Sequence, residues 1–311
     1  SLPAWGVGSL PRDGRRIVTD ALPDRVLDAE AAGEIFGLGG VVGADLLSRQ
    51  PWWIDPRGQR LWFVDPPTGI ERVETVPVEV AGGGSTCLSD GTCFDHDPSR
   101  LLVEATIAGE PMTLMVDTAS TYVGLKASVF DRLGIDPPTF DFGTAAFGVA
   151  GATVGIGGTE VDRVRIAEVD AATEESLVRL ALEVDRPIDG LLGHAFLLGF
   201  VVGIDQEGGE LTLSRYASGP WDPLPDPVHP GVSVGDGEGD CFAVRYLVVG
   251  SPADRAGIDF GTCVTAVGGR TPADVDGTTL MADLAALGDG APVDWAWDGG
   301  AATLDNVDWL R

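Results

Sequence analysis

Short apolar runs separated by glycine- and proline-bearing turns make up most of this chain, and stretches with helical spacing are few. Residues 101–117 read as two strands around the turn Gly109-Glu110, and the second run ends abruptly at Asp117. Residues 128–135 predict a short helix. Residues 140–158, rich in glycine and aromatics, suit a mobile hairpin. Residues 172–184 place Leu177, Leu180 and Val184 at the spacing of an amphipathic helix. Further along, residues 278–287 predict a longer helix, and residues 292–310 two closing strands.

One pattern occurs twice. Gly-Val-Val-Gly at residues 40–43 corresponds to Gly-Leu-Leu-Gly at 190–193, and the agreement runs on without a gap. Asp55 matches Asp205, Gly58 matches Gly208 and Leu61 matches Leu211, all at an offset of 150 residues. Each copy reads as an apolar run, an Asp-led turn and a second apolar run, the signature of a hairpin. Two homologous lobes are therefore expected. A Pro-rich stretch at 219–231 separates them from a third region of different pattern.

Composition narrows the picture. The chain has 311 residues, of which 44% are hydrophobic, with 44 glycines and 21 prolines, so several turn-rich β domains can bury cores. The formal net charge of −28 argues against nucleic acid as a partner, because such a surface repels phosphate backbones; as a plain solvated surface it favours solubility. No apolar run reaches the length of a membrane span, and the chain shows no signal peptide. The four cysteines and three histidines are not clustered at metal-binding spacing, so no metal site is expected. Cys87 with Cys93 and Cys241 with Cys263 form two local pairs; two disulfides are expected, with four reduced buried thiols as the alternative.

Apolar strand, Asp117-Thr118-Ala119-Ser120, Gly-rich hairpin, helix, then Leu191-Leu192-Gly193: this order resembles a lobe of the pepsin/retropepsin clan of aspartic peptidases, over residues 101–215. The resemblance implies a mostly β fold of two barrel lobes, the first incomplete, with no cofactor and a polypeptide substrate. It makes Asp117 the catalytic carboxylate and Thr118, Ala119 and Ser120 its supporting loop. Ala119 stands where the family most often has glycine. Thr118 would brace the loop across the lobe interface, and Ser120 would hydrogen-bond a carboxylate oxygen. Leu191, Leu192 and Gly193 would pack against that loop, and Phe147, Gly148 and Val149 would lie in the hairpin over the substrate.

Such chemistry requires two aspartates. Asp117 precedes Gly193 by 76 residues, and the same distance upstream of Gly43 lies before Ser1. The likeness of residues 147–151 to residues 5–9 points to the same conclusion. Asp20, Asp24 and Asp28 follow no apolar strand. Three sources of the partner acid stay open: an upstream segment, retained in the precursor or bound separately; a second copy of the chain; or no partner at all, in a non-catalytic scaffold.

The third region carries a second resemblance. Ser251-Pro252-Ala253, Ala256-Gly257-Ile258 and residues 261–264 are similar to a PDZ domain of the kind attached to bacterial proteases. It implies an α+β module that binds an extended peptide, with Gly239, Asp240, Cys241, Phe242 and Val244 as the peptide-binding segment. Asp240 would set a negative charge beside an incoming carboxylate. The expected organisation is thus 1–75 for the end of the first lobe, 76–98 for an inter-lobe linker with the Cys pair, 99–218 for the second lobe, 219–231 for a linker, and 232–311 for the PDZ-like domain. The disulfides favour an extracytoplasmic protein, whether periplasmic, lipid-anchored at the outer surface, or secreted.

Overall fold

The computed structural model describes residues 5–7, 10–12, 50–58, 60–63, 65–87, 93–96, 98–217 and 228–309. Two compact units emerge. The first comprises residues 1–47 and 83–98, the second residues 48–82 and 99–311. In the first unit the described elements are two hairpins: β1 (Trp5–Val7) with β2 (Leu10–Arg12), and β7 (Gly84–Cys87) with β8 (Cys93–His96). The stretch expected to be an inter-lobe linker therefore contains a strand ladder in which Cys87 and Cys93 face each other. Cys93 is disulfide-bonded. Residues 219–227 of the Pro-rich linker lie outside the described residues, as does most of the first lobe.

The second unit is built on a closed barrel. Its strands are β9 (Arg100–Ile107), β10 (Glu110–Val116), β11 (Val123–Leu125), β13 (Ala146–Ile156), β14 (Thr159–Glu168) and β15 (Gly190–Leu192). Pairing runs β9-β10-β15-β11-β14-β13 and returns from β13 to β9 through Val154↔Ile107 and Gly155↔Thr106. Alternating residues point inward, as the period of a half-buried strand demands. Ile107, Leu114, Leu125, Val154, Ile156 and Ile166 are all fully buried. β6 (Glu79–Ala81) extends the sheet beyond β9. Helix α1 (Ala127–Leu133) follows β11, and α2 (Ala171–Glu183) follows β14. Asp170 caps α2 by accepting from Thr173 N at 2.7 Å, and Leu177 and Leu180 fasten its inner face to Leu102, Ile188 and Leu191. A single turn, α3 (His194–Leu197), comes after β15.

The repeat shows itself as a sheet. β3 (Trp52–Asp55) and β4 (Arg60–Phe63) form one hairpin, β16 (Val201–Asp205) and β17 (Glu210–Tyr216) the other. β3 pairs antiparallel with β16: Ile54 with Val202, Trp53 with Gly203, Trp52 with Ile204. Trp53 and Gly203 are themselves equivalent positions of the 150-residue repeat, so a local two-fold axis passes between them. Asp55 and Asp205 do the same work in the two copies. Each closes its turn by accepting from an amide three residues on, Gly58 N at 2.9 Å and Gly208 N at 2.8 Å. β5 (Ile70–Pro77) completes this sheet beside β17.

The C-terminal module contains β18 (Val228–His229), β19 (Val232–Asp236), β20 (Phe242–Val248), β21 (Cys263–Val267), β22 (Pro292–Trp297), β23 (Gly300–Asp305) and β24 (Val307–Asp308). Two helices complete it, α4 (Pro252–Arg255) and α5 (Gly277–Leu287). As expected, Ser251 and Pro252 open α4: Ser251 Oγ accepts from Asp254 N at 3.1 Å and proline fills the first turn. The core is Val232, Val234, Phe242, Val264, Leu280, Leu284 and Trp295. A disulfide joins Cys241 to Cys263, tying the start of β20 to β21. No helix among the described residues is long and apolar enough to cross a membrane.

Candidate active site

Asp117 sits just past the end of β10, where the chain must leave the barrel. Its position is fixed by β15, which runs between β10 and β11. β15 is parallel to β10 (Leu114↔Gly190, Val116↔Leu192) and antiparallel to β11 (Gly124↔Leu191). Asp117 N donates to Leu192 O at 3.0 Å, extending that ladder by one residue. The loop beyond is pinned from the same side: His194 N donates to Ser120 O at 2.7 Å and Ala195 N to Thr121 O at 3.0 Å.

The crossing explains its two glycines. A Cβ on Gly190 would stand 1.9 Å from Gly124 O, and one on Gly193 1.8 Å from Tyr122 O. Backbone meets backbone there, with no room for any side chain. Leu191 and Leu192 are buried beside them. Leu192 and Gly193 meet the Asp117 loop through their backbones, whereas Leu191 packs with Leu177 and Leu180 of α2.

The carboxylate is half-buried. Its Oδ1 accepts from Ala119 N at 2.9 Å, which fixes the carboxylate against its own loop. Ser120 acts differently from expectation. Its Oγ donates to Tyr122 O at 2.9 Å, so it braces the loop backbone rather than the carboxylate. Thr118 is half-buried in the same loop.

Next to Asp117 opens a cleft of about 230 Å³. Its apolar lining comes from Met115, Leu177, Leu180 and Leu191, and its polar rim includes Thr173, Ser176 and Arg100. The helical period of α2 revealed which residues face inward, but not that the same face borders Asp117. His194 was also missed. It follows Gly193 directly; burial lowers its pKa and the Asp117 charge opposes that shift.

Phe147, Gly148 and Val149 lie on β13, in the hairpin formed with β12 (Thr139–Asp141). Phe147 meets Tyr122 edge-on, with centroids 6.0 Å apart, and stacks on Phe142 at 4.9 Å. Gly148 N donates to Glu168 Oε2 at 3.2 Å. Instead of standing free, this hairpin is joined to the C-terminal module, because β12 pairs with β20 through Phe140↔Val248 and Asp141↔Leu247.

The peptide-binding segment expected in the C-terminal module needs correction. Gly239 and Asp240 are exposed in the turn between β19 and β20, and Cys241 adjoins β20 through its disulfide to Cys263. Phe242 and Val244 lie on β20 itself, with Phe242 buried in the core. β20 is paired with β19 along one edge and with β21 and β12 along the other, so it offers no edge to an added strand. Among the described residues, β19 pairs only with β20, and α5 packs against it.

Residues 103–196 match the aspartyl protease family model. A retropepsin-like aspartic protease from Rickettsia conorii aligns with 49% of this chain and 96% of its own, at 16% identity and a TM-score of 0.30. No curated protein matches the chain.

Proposed function

We propose that the protein is an aspartic endopeptidase in which Asp117 is one of two water-activating carboxylates. The observation that carries this reading is the seating of Asp117 by the β15 crossing, inside the stretch that matches the aspartyl protease family model. In the proposed reaction one carboxylate accepts a proton from water as the oxygen adds to the peptide carbonyl. The other carboxyl, protonated, hydrogen-bonds to the carbonyl oxygen; a proton then passes to the leaving amine. Two carboxylates about 3 Å apart cannot both ionise, which divides these roles between them.

The local two-fold axis bears on where the second acid comes from. Along β3 and β16 the chain already pairs with its own repeat. We infer that the partner acid comes from the same polypeptide, because that pairing already joins the two repeats within one chain. The cleft beside Asp117, with its apolar lining, would receive a substrate side chain.

The C-terminal module fits a PDZ-type role in substrate selection, with the unpaired edge of β19 beside α5 as the place where a peptide strand would add. The disulfides support an extracytoplasmic location. The test is cleavage of an unfolded polypeptide by the full-length protein and by its Asp117→Asn variant. Equal turnover by the two would remove Asp117 from the chemistry, and no cleavage by either would leave a peptide-binding scaffold as the function.

A further inference from the structure

The seam between the hairpin and the C-terminal module is built around one buried imidazole. His229 is only 1% exposed. Its Nδ1 accepts from Gly231 N at 3.0 Å, so that nitrogen carries no proton. Its Nε2 meets the Tyr246 hydroxyl at 2.8 Å, and its carbonyl accepts from Trp309 Nε1 at 2.9 Å. Tyr246 in turn packs against both hairpin rings, Phe140 and Phe142, each with centroids 5.4 Å away. The path from imidazole to hairpin is thus a single side chain long. The backbone seam runs alongside it: Val249 N donates to Thr139 O at 2.9 Å.

We propose that His229 is the pin of a pH-sensitive latch, which while neutral holds the hairpin of β12 and β13 against the C-terminal module and on protonation lets it go. A proton on Nδ1 would set N–H against N–H at Gly231, and a charge would be sealed where no water reaches. The groups facing the ring give it no help. Tyr246 on β20 is neutral, its own ionisation pushed up by burial; Tyr122 lies beyond it. Arg165 on β14 adds a positive charge that opposes a second one. Asp308, on the strand paired with β18, is committed to Arg163 by two bonds of 2.9 and 3.1 Å. Relief comes only from parting the seam, which admits water to the ring. The latch is independent of the peptidase reading.

The experiment is amide hydrogen exchange on the full chain at pH 7.5 and pH 5, expressed as protection factors. Protection of Val249 N and of the β12 amides should fall about 30-fold at pH 5, since each pH unit below the free-histidine value favours the opened form roughly tenfold. Protection in the β9–β10 ladder should hold. In His229→Asn, whose amide oxygen can still accept from Gly231 N, the fall should vanish. Unchanged seam protection in the wild type, or the same fall in His229→Asn, overturns the latch. Should that variant fail to fold, Tyr246→Phe keeps the ring contacts and deletes the hydroxyl on Nε2. It must lower seam protection several-fold at pH 7.5, and equal protection there also overturns the proposal. Because the readout is exchange, Asp117→Asn should show the same release, which separates failure of the latch from failure of the peptidase reading.

Discussion

The amide of Asp117 donates to the carbonyl of Leu192, so the carboxylate is aligned by a strand that the chain supplies only after building most of the barrel. That bond belongs to the backbone and survives substitution of the side chain. Asp117→Asn should therefore keep its melting temperature within a degree or two. Cleavage of an unfolded polypeptide should fall at least about 1000-fold, the scale of losing a positioned acid–base group. Parallel melting curves and turnover assays check both halves.

Gly193→Ala should destabilise the second unit by at least about 3 kcal/mol, because its methyl must displace the Tyr122 carbonyl rather than a movable side chain. Gly199→Ala is the matched control. Its Cβ would rest 3.5 Å from Phe196 O, an ordinary contact, and should change stability little. Chemical denaturation of the two variants side by side gives the contrast.

Reduction of the Cys241–Cys263 bridge should lower the stability of the C-terminal module by about 3 kcal/mol, the loop-closure value for its sequence separation of 22. Circular dichroism with and without a thiol reductant measures it. No change in the transition would show that the bridge adds nothing to the β20–β21 pairing.

Acid should weaken the module through His229, whose pKa burial lowers to about 3, with the Arg165 charge acting in the same direction. The unfolded chain binds this proton below about pH 6.5, while the folded chain does so only near 3. Stability present above pH 6.5 is thus lost as pH falls toward 3, by roughly 1.4 kcal/mol per unit. Denaturant midpoints at pH 7.5, 5.5 and 4.5 should fall in the wild type and fall less in His229→Asn.

Much of the architecture was legible because it is written in local pattern. The repeat could be read without a gap because both hairpins turn on the same Asp-led geometry, at Asp55 and at Asp205. Gly193 was legible because close backbone contact tolerates no other residue. What escaped was decided by pairing between distant segments. Nothing local to Phe140 announces that it will face Val248, so the hairpin read as mobile. Nor does any residue of β20 declare that both its edges are taken, so the strand reads as open to a peptide. Ser120 found a nearer acceptor in the Tyr122 carbonyl than in the carboxylate. His194 and the α2 contribution to the cleft depend on how a helix is laid beside a loop, which periodicity does not encode.

The axis between Trp53 and Gly203 relates two residues of opposite size. A Cβ at 203 would stand 2.5 Å from the Trp53 ring, so the indole of one repeat fills the volume that the glycine of the other leaves open. Two tryptophans there would collide, and two glycines would leave a void. The repeats therefore meet as bulk and recess, and neither could be replaced by an exact copy of the other without undoing the joint between them.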